Sequence, residues 1–141
     1  DLAKEYGADY VIDITKEDAV EAVKKYTGGK MADVVIECSG SGQMMELGIE
    51  LARIAGRMVL AGTCGYAQNA LTTDLIVFKE LQLLGGLGQS WDTEMAVKII
   101  NSRKYPVEKL VTQVFPMEEA DEAMKFYMSG QGNSIRVALK P

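Results

Sequence analysis

Two stretches of the chain, Val34-Val-Ile36 and Met58-Val-Leu-Ala61, are apolar at every position and not at every second one. Successive side chains of a strand point to opposite faces, so a strand with one wet face alternates apolar with polar. An unbroken run asks for cover on both faces, as in a parallel sheet packed between helices. Parallel strands need long crossovers, so the residues around these runs have to supply helices.

The spacing of apolar residues supplies them. Gln43 to Ala55 sets Met45, Gly48, Ile49 and Ala52 on one face, with Gly56 to close it. Glu17 to Tyr26 does the same with Ala19, Val20, Val23 and Tyr26 before Thr27-Gly-Gly-Lys30 stops it. Residues 1–6 predict a helix tail ended by Gly7, and Tyr10 to Asp13 predict a short strand. Asn69 to Glu80 fits a helix turn or a strand equally well, Leu81 to Leu87 a glycine-interrupted strand, and Asp92 the N-cap of a helix reaching Arg103. After Pro106 the pattern predicts a strand from Leu110 to Phe115, a helix from Met117 to Ser129 capped by Gly130, and a strand from Ile135 to Leu139. The expected class is therefore α/β with a doubly wound, mainly parallel sheet, and a change of texture near Pro106 separates 1–106 from 107–141.

Composition removes several classes of function. Fifteen basic residues stand against 20 acidic ones, scattered along all 141 positions, so the basic face that nucleic acid requires is missing. The apolar runs are far shorter than the roughly 20 residues of a membrane span. Two cysteines, Cys38 and Cys64, without a CxxC pairing and without a single histidine, exclude a self-contained Cys/His zinc site. Small packing residues are the expected role of both cysteines, with a redox pair as the alternative, and the helically spaced methionines read as core or interface filler. The chain starts at Asp1 with no secretory leader pattern, which leads us to expect a piece of a longer protein.

The apolar run at Val34 leads into Cys38-Ser-Gly-Ser-Gly42, the form of a nucleotide-binding turn. A dinucleotide fingerprint needs a third glycine for close helix packing and an acidic residue ending the next strand to bind ribose hydroxyls. Met45 occupies the first place, and Leu60-Ala-Gly-Thr63 ends the next strand without a carboxylate. The turn is therefore not expected to be the phosphate cradle. It does share a crevice: Cys38-Ser-Gly-Ser41, Gly62-Thr-Cys-Gly65 and Gly85-Gly-Leu-Gly88 all follow strands, and ligands of doubly wound sheets lie beyond the carboxyl ends of strands.

Several segments resemble the zinc-dependent medium-chain alcohol dehydrogenases, in particular their polyol, butanediol and threonine dehydrogenase branch. They are Leu2-Ala-Lys-Glu-Tyr-Gly-Ala-Asp-Tyr-Val-Ile-Asp13, Asp33-Val-Val-Ile-Glu-Cys-Ser-Gly40, Gly56-Arg-Met-Val-Leu-Ala-Gly62, Leu110 to Ala123 and Ser134-Ile-Arg-Val-Ala-Leu139. They run in order over almost the whole chain. The resemblance implies a Rossmann-like sheet of order 3-2-1-4-5-6 of which this chain carries strands 3 to 6, followed by a C-terminal segment, 107–141, that returns to the catalytic domain. Strand 3, at Tyr10 to Asp13, would then face a gap of roughly 15 Å at ~4.8 Å per spacing.

The resemblance further implies that Ser39 and Gly40 form the adenine-side wall of an NAD or NADP site. Gly62 and Thr63 would pass the nicotinamide-side ribose, and Gly86 and Leu87 would lie near the carboxamide. Arg136 would reach the pyrophosphate, for which a planar guanidinium fork is suited; the alternative is a surface charge on an edge strand. No catalytic or metal-binding residue is expected in this chain, since zinc and its ligands would lie upstream. The implied reaction is hydride transfer between a small secondary alcohol or polyol and NAD(P), in a cytoplasmic homodimer or homotetramer paired through residues 75–87. The fragment alone would be inactive. Rival readings are a zinc-free quinone or enoyl reductase, a non-catalytic nucleotide-binding module, and an adenosylmethionine-dependent methyltransferase.

Overall fold

The computed structural model describes residues 2–88, 92–130, 132 and 134–141. Asp1, the first residue of the expected helix tail, lies outside the described residues. The chain separates into two compact units, Asp9–Trp91 and Asp1–Ala8 with Asp92–Pro141. All observed strand pairing is parallel, within a three-stranded and a two-stranded sheet.

In the first unit, β1 (Ala32–Glu37), β2 (Ala52–Leu60) and β3 (Gln82–Gly85) pair in that order. Glu37 is level with Leu60 and Leu60 with Gly85, so the three strands end together. Helix α3 (Gly42–Leu51) crosses from β1 to β2, and the predicted inward residues Met45, Gly48 and Ile49 are buried. The core consists of Met45, Ile49 and Met58, with Val35, Leu60, Leu75 and Ile76 packed around it. Complete burial of Ile49 and Met58 contributes about 1.5–3 kcal/mol each. Gly48 allows the close approach, because a Cβ there would stand 3.2 Å from Met58 Sδ and 3.4 Å from Val35 Cγ1.

Helix α2 (Ala19–Tyr26) shows local control of its ends. Asp18 accepts from the Glu21 amide at 2.9 Å, and the Thr27 hydroxyl donates to Val23 O at 2.7 Å. Helix α4 (Thr73–Phe78) resolves the ambiguity between Asn69 and Glu80 in favour of a helix.

Three expectations need correction. Tyr10 to Asp13 belongs to no strand; Tyr10 instead stacks on Tyr26 with ring centroids 3.9 Å apart. A strand exists only through a ladder partner, and none borders this segment among the described residues. Helix α3 stops at Leu51, not Ala55, with Ala52 already extended and the left-handed turn carried by Ala55 at φ 54°. Lys79 explains the early stop: its ammonium donates to Ile49 O at 3.0 Å, Glu50 O at 2.8 Å and Ala52 O at 2.9 Å. These are the carbonyls left over at a helix end, and a cation there also suits the helix dipole. Finally, β1 is covered on one face only, since Val34 is 51% and Ile36 63% exposed.

In the second unit, β4 (Val111–Pro116) pairs with β5 (Arg136–Lys140), and α6 (Ala120–Ser129) packs on both. Phe115 and Phe126 meet at 5.8 Å, Ala123 is buried, and Gly130 ends α6 at φ 64° as its position predicts. Helix α1 (Leu2–Glu5) is tied here by Tyr6, whose hydroxyl donates to Pro106 O at 2.6 Å, and by the Glu5–Lys109 ion pair at 2.5 Å. Helix α5 (Asp92–Asn101) begins at Asp92 and ends two residues before the predicted limit.

Candidate functional site

The common ending of β1, β2 and β3 puts their following turns along one edge of the sheet. Main-chain bonds then join neighbouring turns. Ala61 and Gly62 donate to Glu37 O at 2.8 and 2.9 Å, and Gly86 donates to Leu60 O at 3.0 Å.

Glu37 organises the first turn. It is 5% exposed and is the only buried charged residue among those described. Its carboxylate accepts from the Ser39 amide at 2.7 Å, from the Gly40 amide at 3.0 and 3.1 Å to its two oxygens, and from the Ser39 hydroxyl. The Ser39 hydroxyl holds this carboxyl below the usual carboxylate range, burial opposes it, and the Gly40 and Ser39 amides assist.

The second turn lies against the first. A Cβ on Gly62 would overlap the Gly40 amide and stand 2.8 Å from the Cys38 carbonyl carbon and 2.9 Å from Glu37 Oε2. A Cβ on Gly40 would overlap the Thr63 carbonyl oxygen. Gly40 also has φ 71°, a region that suits glycine. Both glycines therefore serve turn-to-turn contact.

Four of the predicted site residues, Ser39, Gly40, Gly62 and Thr63, come together in this way. Gly86 joins them through Leu60, and a Cβ on it would stand 3.2 Å from Val59 Cγ1. Leu87 is 82% exposed just beyond. Ser39 and Thr63 are exposed, Gly40 is buried, and Gly62 is half-buried. A depression of about 230 Å³ beside the first turn is lined by Ile36, Cys38, Ser39, Met44 and Leu47 among others.

Arg136 belongs to the other unit. It opens β5, is exposed, and lines a depression of about 1080 Å³ together with Arg103, Tyr105, Glu108 and Val111 among others. The cysteines correct the packing expectation, for Cys38 is exposed and Cys64 is half-buried with its thiol donating to Ala67 O at 3.2 Å. Of the methionines read as filler, Met45 is in the core, whereas Met117, Met124 and Met128 are 47%, 60% and 78% exposed.

No group of three or more His, Cys, Asp or Glu side chains among the described residues could hold a metal ion, and the sequence contains no histidine. The residues present here do not fit a zinc site, and no chemical step can be routed through one on this chain. Among the described residues, no helix is long and apolar enough to cross a membrane.

Sequence reasoning passed over Glu37 and Lys79. The usable signal for Glu37 was a carboxylate closing an apolar strand directly before Ser and Gly, whose amides lie within its reach. For Lys79 nothing in the neighbouring residues points to its acceptors, which lie across the fold.

The chain as a whole is similar to known proteins. The family described as zinc-binding dehydrogenase matches residues 1–102. Sorbitol dehydrogenase from Halalkalibacterium halodurans is 35% identical over 140 residues, 99% of this chain and 40% of that protein. L-Threonine 3-dehydrogenase from Symbiobacterium thermophilum is 36% identical over 140 residues, 95% of this chain and 39% of its own length. Among solved structures, a zinc-binding dehydrogenase from Sinorhizobium meliloti 1021 bound to NADP superposes with a TM-score of 0.85 at 23% identity, covering 99% of this chain and 41% of that one. The chain thus spans about 40% of the length of the curated relatives it matches. On the family match and these likenesses together, the chain belongs to the zinc-binding dehydrogenase family.

Proposed function

We propose that this chain is the coenzyme-holding portion of an NAD(P)-dependent oxidoreductase that moves hydride between a small secondary alcohol or polyol and the nicotinamide ring. The observation that carries the proposal is the joined pair of turns at Ser39-Gly40 and Gly62-Thr63, on the sheet edge where doubly wound folds receive ligands. The apolar depression bordered by Ser39, Ile36 and Leu47 suits a flat heterocycle, and the exposed Thr63 has no hydrogen-bond partner among the described residues that would compete with a ribose hydroxyl. Arg136, Gly86 and Leu87 are assigned to the pyrophosphate and the carboxamide side. Sorbitol and threonine dehydrogenase relatives support the alcohol class. Zinc ligands would come from residues outside this chain.

Residues 1–106 are assigned to the coenzyme domain and 107–141 to a segment returning to the catalytic domain; the separate β4–β5 sheet supports a change of architecture after Pro106. Val77, Phe78, Leu84 and Leu87, which are 69%, 75%, 46% and 82% exposed, support pairing of two copies through residues 75–87 in a cytoplasmic homodimer or homotetramer.

Titrating the full-length protein with NADH, NADPH and adenosylmethionine tests the reading, followed by coenzyme reduction with sorbitol and butanediol. Binding of a nicotinamide coenzyme with turnover is expected, and no turnover by residues 1–141 alone. Binding of adenosylmethionine but neither NADH nor NADPH would overturn it.

A further inference from the structure

Glu37 is not explained by the needs of the sheet. A buried charge is costly unless it is fully answered by hydrogen bonds, and a strand end can close without one. Every side-chain bond of Glu37 goes to one short turn, to the Ser39 and Gly40 amides and the Ser39 hydroxyl. Its carbonyl takes the Ala61 and Gly62 amides of the neighbouring turn. Glu37 Oε2 also stands 2.9 Å from the place a Gly62 Cβ would occupy, so the carboxylate lies at the junction of both turns. A glutamine could keep its oxygen where Oε1 takes the Ser39 and Gly40 donors, but its amide group at the Oε2 position would then face the Gly40 amide as a second donor, and the charge that strengthens all these bonds would be gone.

We propose that Glu37 is a positioning residue for the coenzyme: its carboxylate sets the shape of Ser39-Gly40 and, through Gly40 against Gly62 and Thr63, the spacing of the two turns across which the coenzyme lies. This rests on the reading of the chain as a nicotinamide-coenzyme binder. Glu37 acts through Ser39 and Gly40.

The experiment uses full-length wild-type protein and its Glu37→Gln and Glu37→Asp variants, titrated with NADH, or with NADPH where the wild type prefers it. Glu37→Gln is expected to raise the Kd for NADH and the coenzyme KM about tenfold, the scale of a lost charge-assisted hydrogen bond. The kcat and the alcohol KM stay within about twofold, as for lost ground-state binding of one substrate. Glu37→Asp, which restores the charge, falls between Gln and wild type. Wild-type binding of NADH with an unchanged Kd in a folded Glu37→Gln overturns this inference alone. A loss confined to kcat, or equal losses in Gln and Asp, also overturns it. A wild type that binds neither NADH nor NADPH overturns the functional reading and this one with it. Should Glu37→Gln fail to fold, Glu37→Asp, which keeps the charge on a shorter side chain, decides: weaker coenzyme binding at unchanged kcat supports the inference, and unchanged binding overturns it.

Discussion

Gly62 is packed against Gly40: the Gly40 amide occupies the space that a side chain on Gly62 would need, and the Thr63 backbone occupies the space that one on Gly40 would need. The contact joins the turn after β1 to the turn after β2.

Gly62→Ala is expected to destabilise the protein by about 1–3 kcal/mol, because the two nearest obstacles, at Gly40 and Cys38, are backbone and cannot rotate away. Gly40→Ala is expected to cost about 1 kcal/mol more, since its φ of 71° is unfavourable for alanine. The double variant should lose less than the sum, because the first shift already parts the turns. Urea unfolding of the four proteins measures this, and strict additivity would count against the contact.

Lys79 closes α3 with three carbonyl bonds, so Lys79→Met should destabilise by about 1–3 kcal/mol through unpaired acceptors. Lys79→Arg should recover little, since a planar fork does not match three converging carbonyls as a compact ammonium does. Thermal melting followed by circular dichroism distinguishes the two variants.

Ala55 sits at φ 54° and donates to Lys79 O at 2.7 Å. Ala55→Gly should raise stability by about 0.5–1 kcal/mol, the relief of left-handed strain exceeding the added freedom of the unfolded chain. A fall in the melting temperature would show that the turn carries no strain.

Glu37 has its carboxyl pKa lowered in the fold, chiefly by the Ser39 hydroxyl. A lowered folded pKa contributes stability that is complete above the unfolded value of about 4.3 and is lost as pH falls through the folded one. The melting-temperature difference between wild type and Glu37→Gln should therefore stay level from about pH 8 to about pH 5 and shrink below about 4.3. Melting curves across that range check it; a difference unaffected by acid would remove the ionised carboxylate from the account.

Much of the fold was legible where neighbours in sequence are neighbours in space. The spacing of Met45, Gly48 and Ile49 marked the buried face of α3, and Gly130 marked the end of α6. The turns at Ser39-Gly40 and Gly62-Thr63 were legible as strand ends, and their shared edge followed from parallel order. Tyr10 to Asp13 was misread as a strand because its β-like composition says nothing of a ladder partner. Helix α3 was predicted too long because periodicity continues past Leu51, whereas Lys79 meets its carbonyls there.

Local pattern alone was enough to establish an α/β chain with parallel strands and glycine turns at their ends. Tertiary contact was needed to show that Gly62 packs on the Gly40 amide and Gly40 on the Thr63 backbone, that Glu37 binds the turn it precedes, and that Lys79 ends a helix it is not part of. The reason is physical. Periodicity and capping are set by residues within a helical turn or a strand alternation of one another, so a sequence window contains them. The partner of a buried carboxylate, an ammonium or a missing side chain is set by segments that only the packed sheet and its helices bring within hydrogen-bond range.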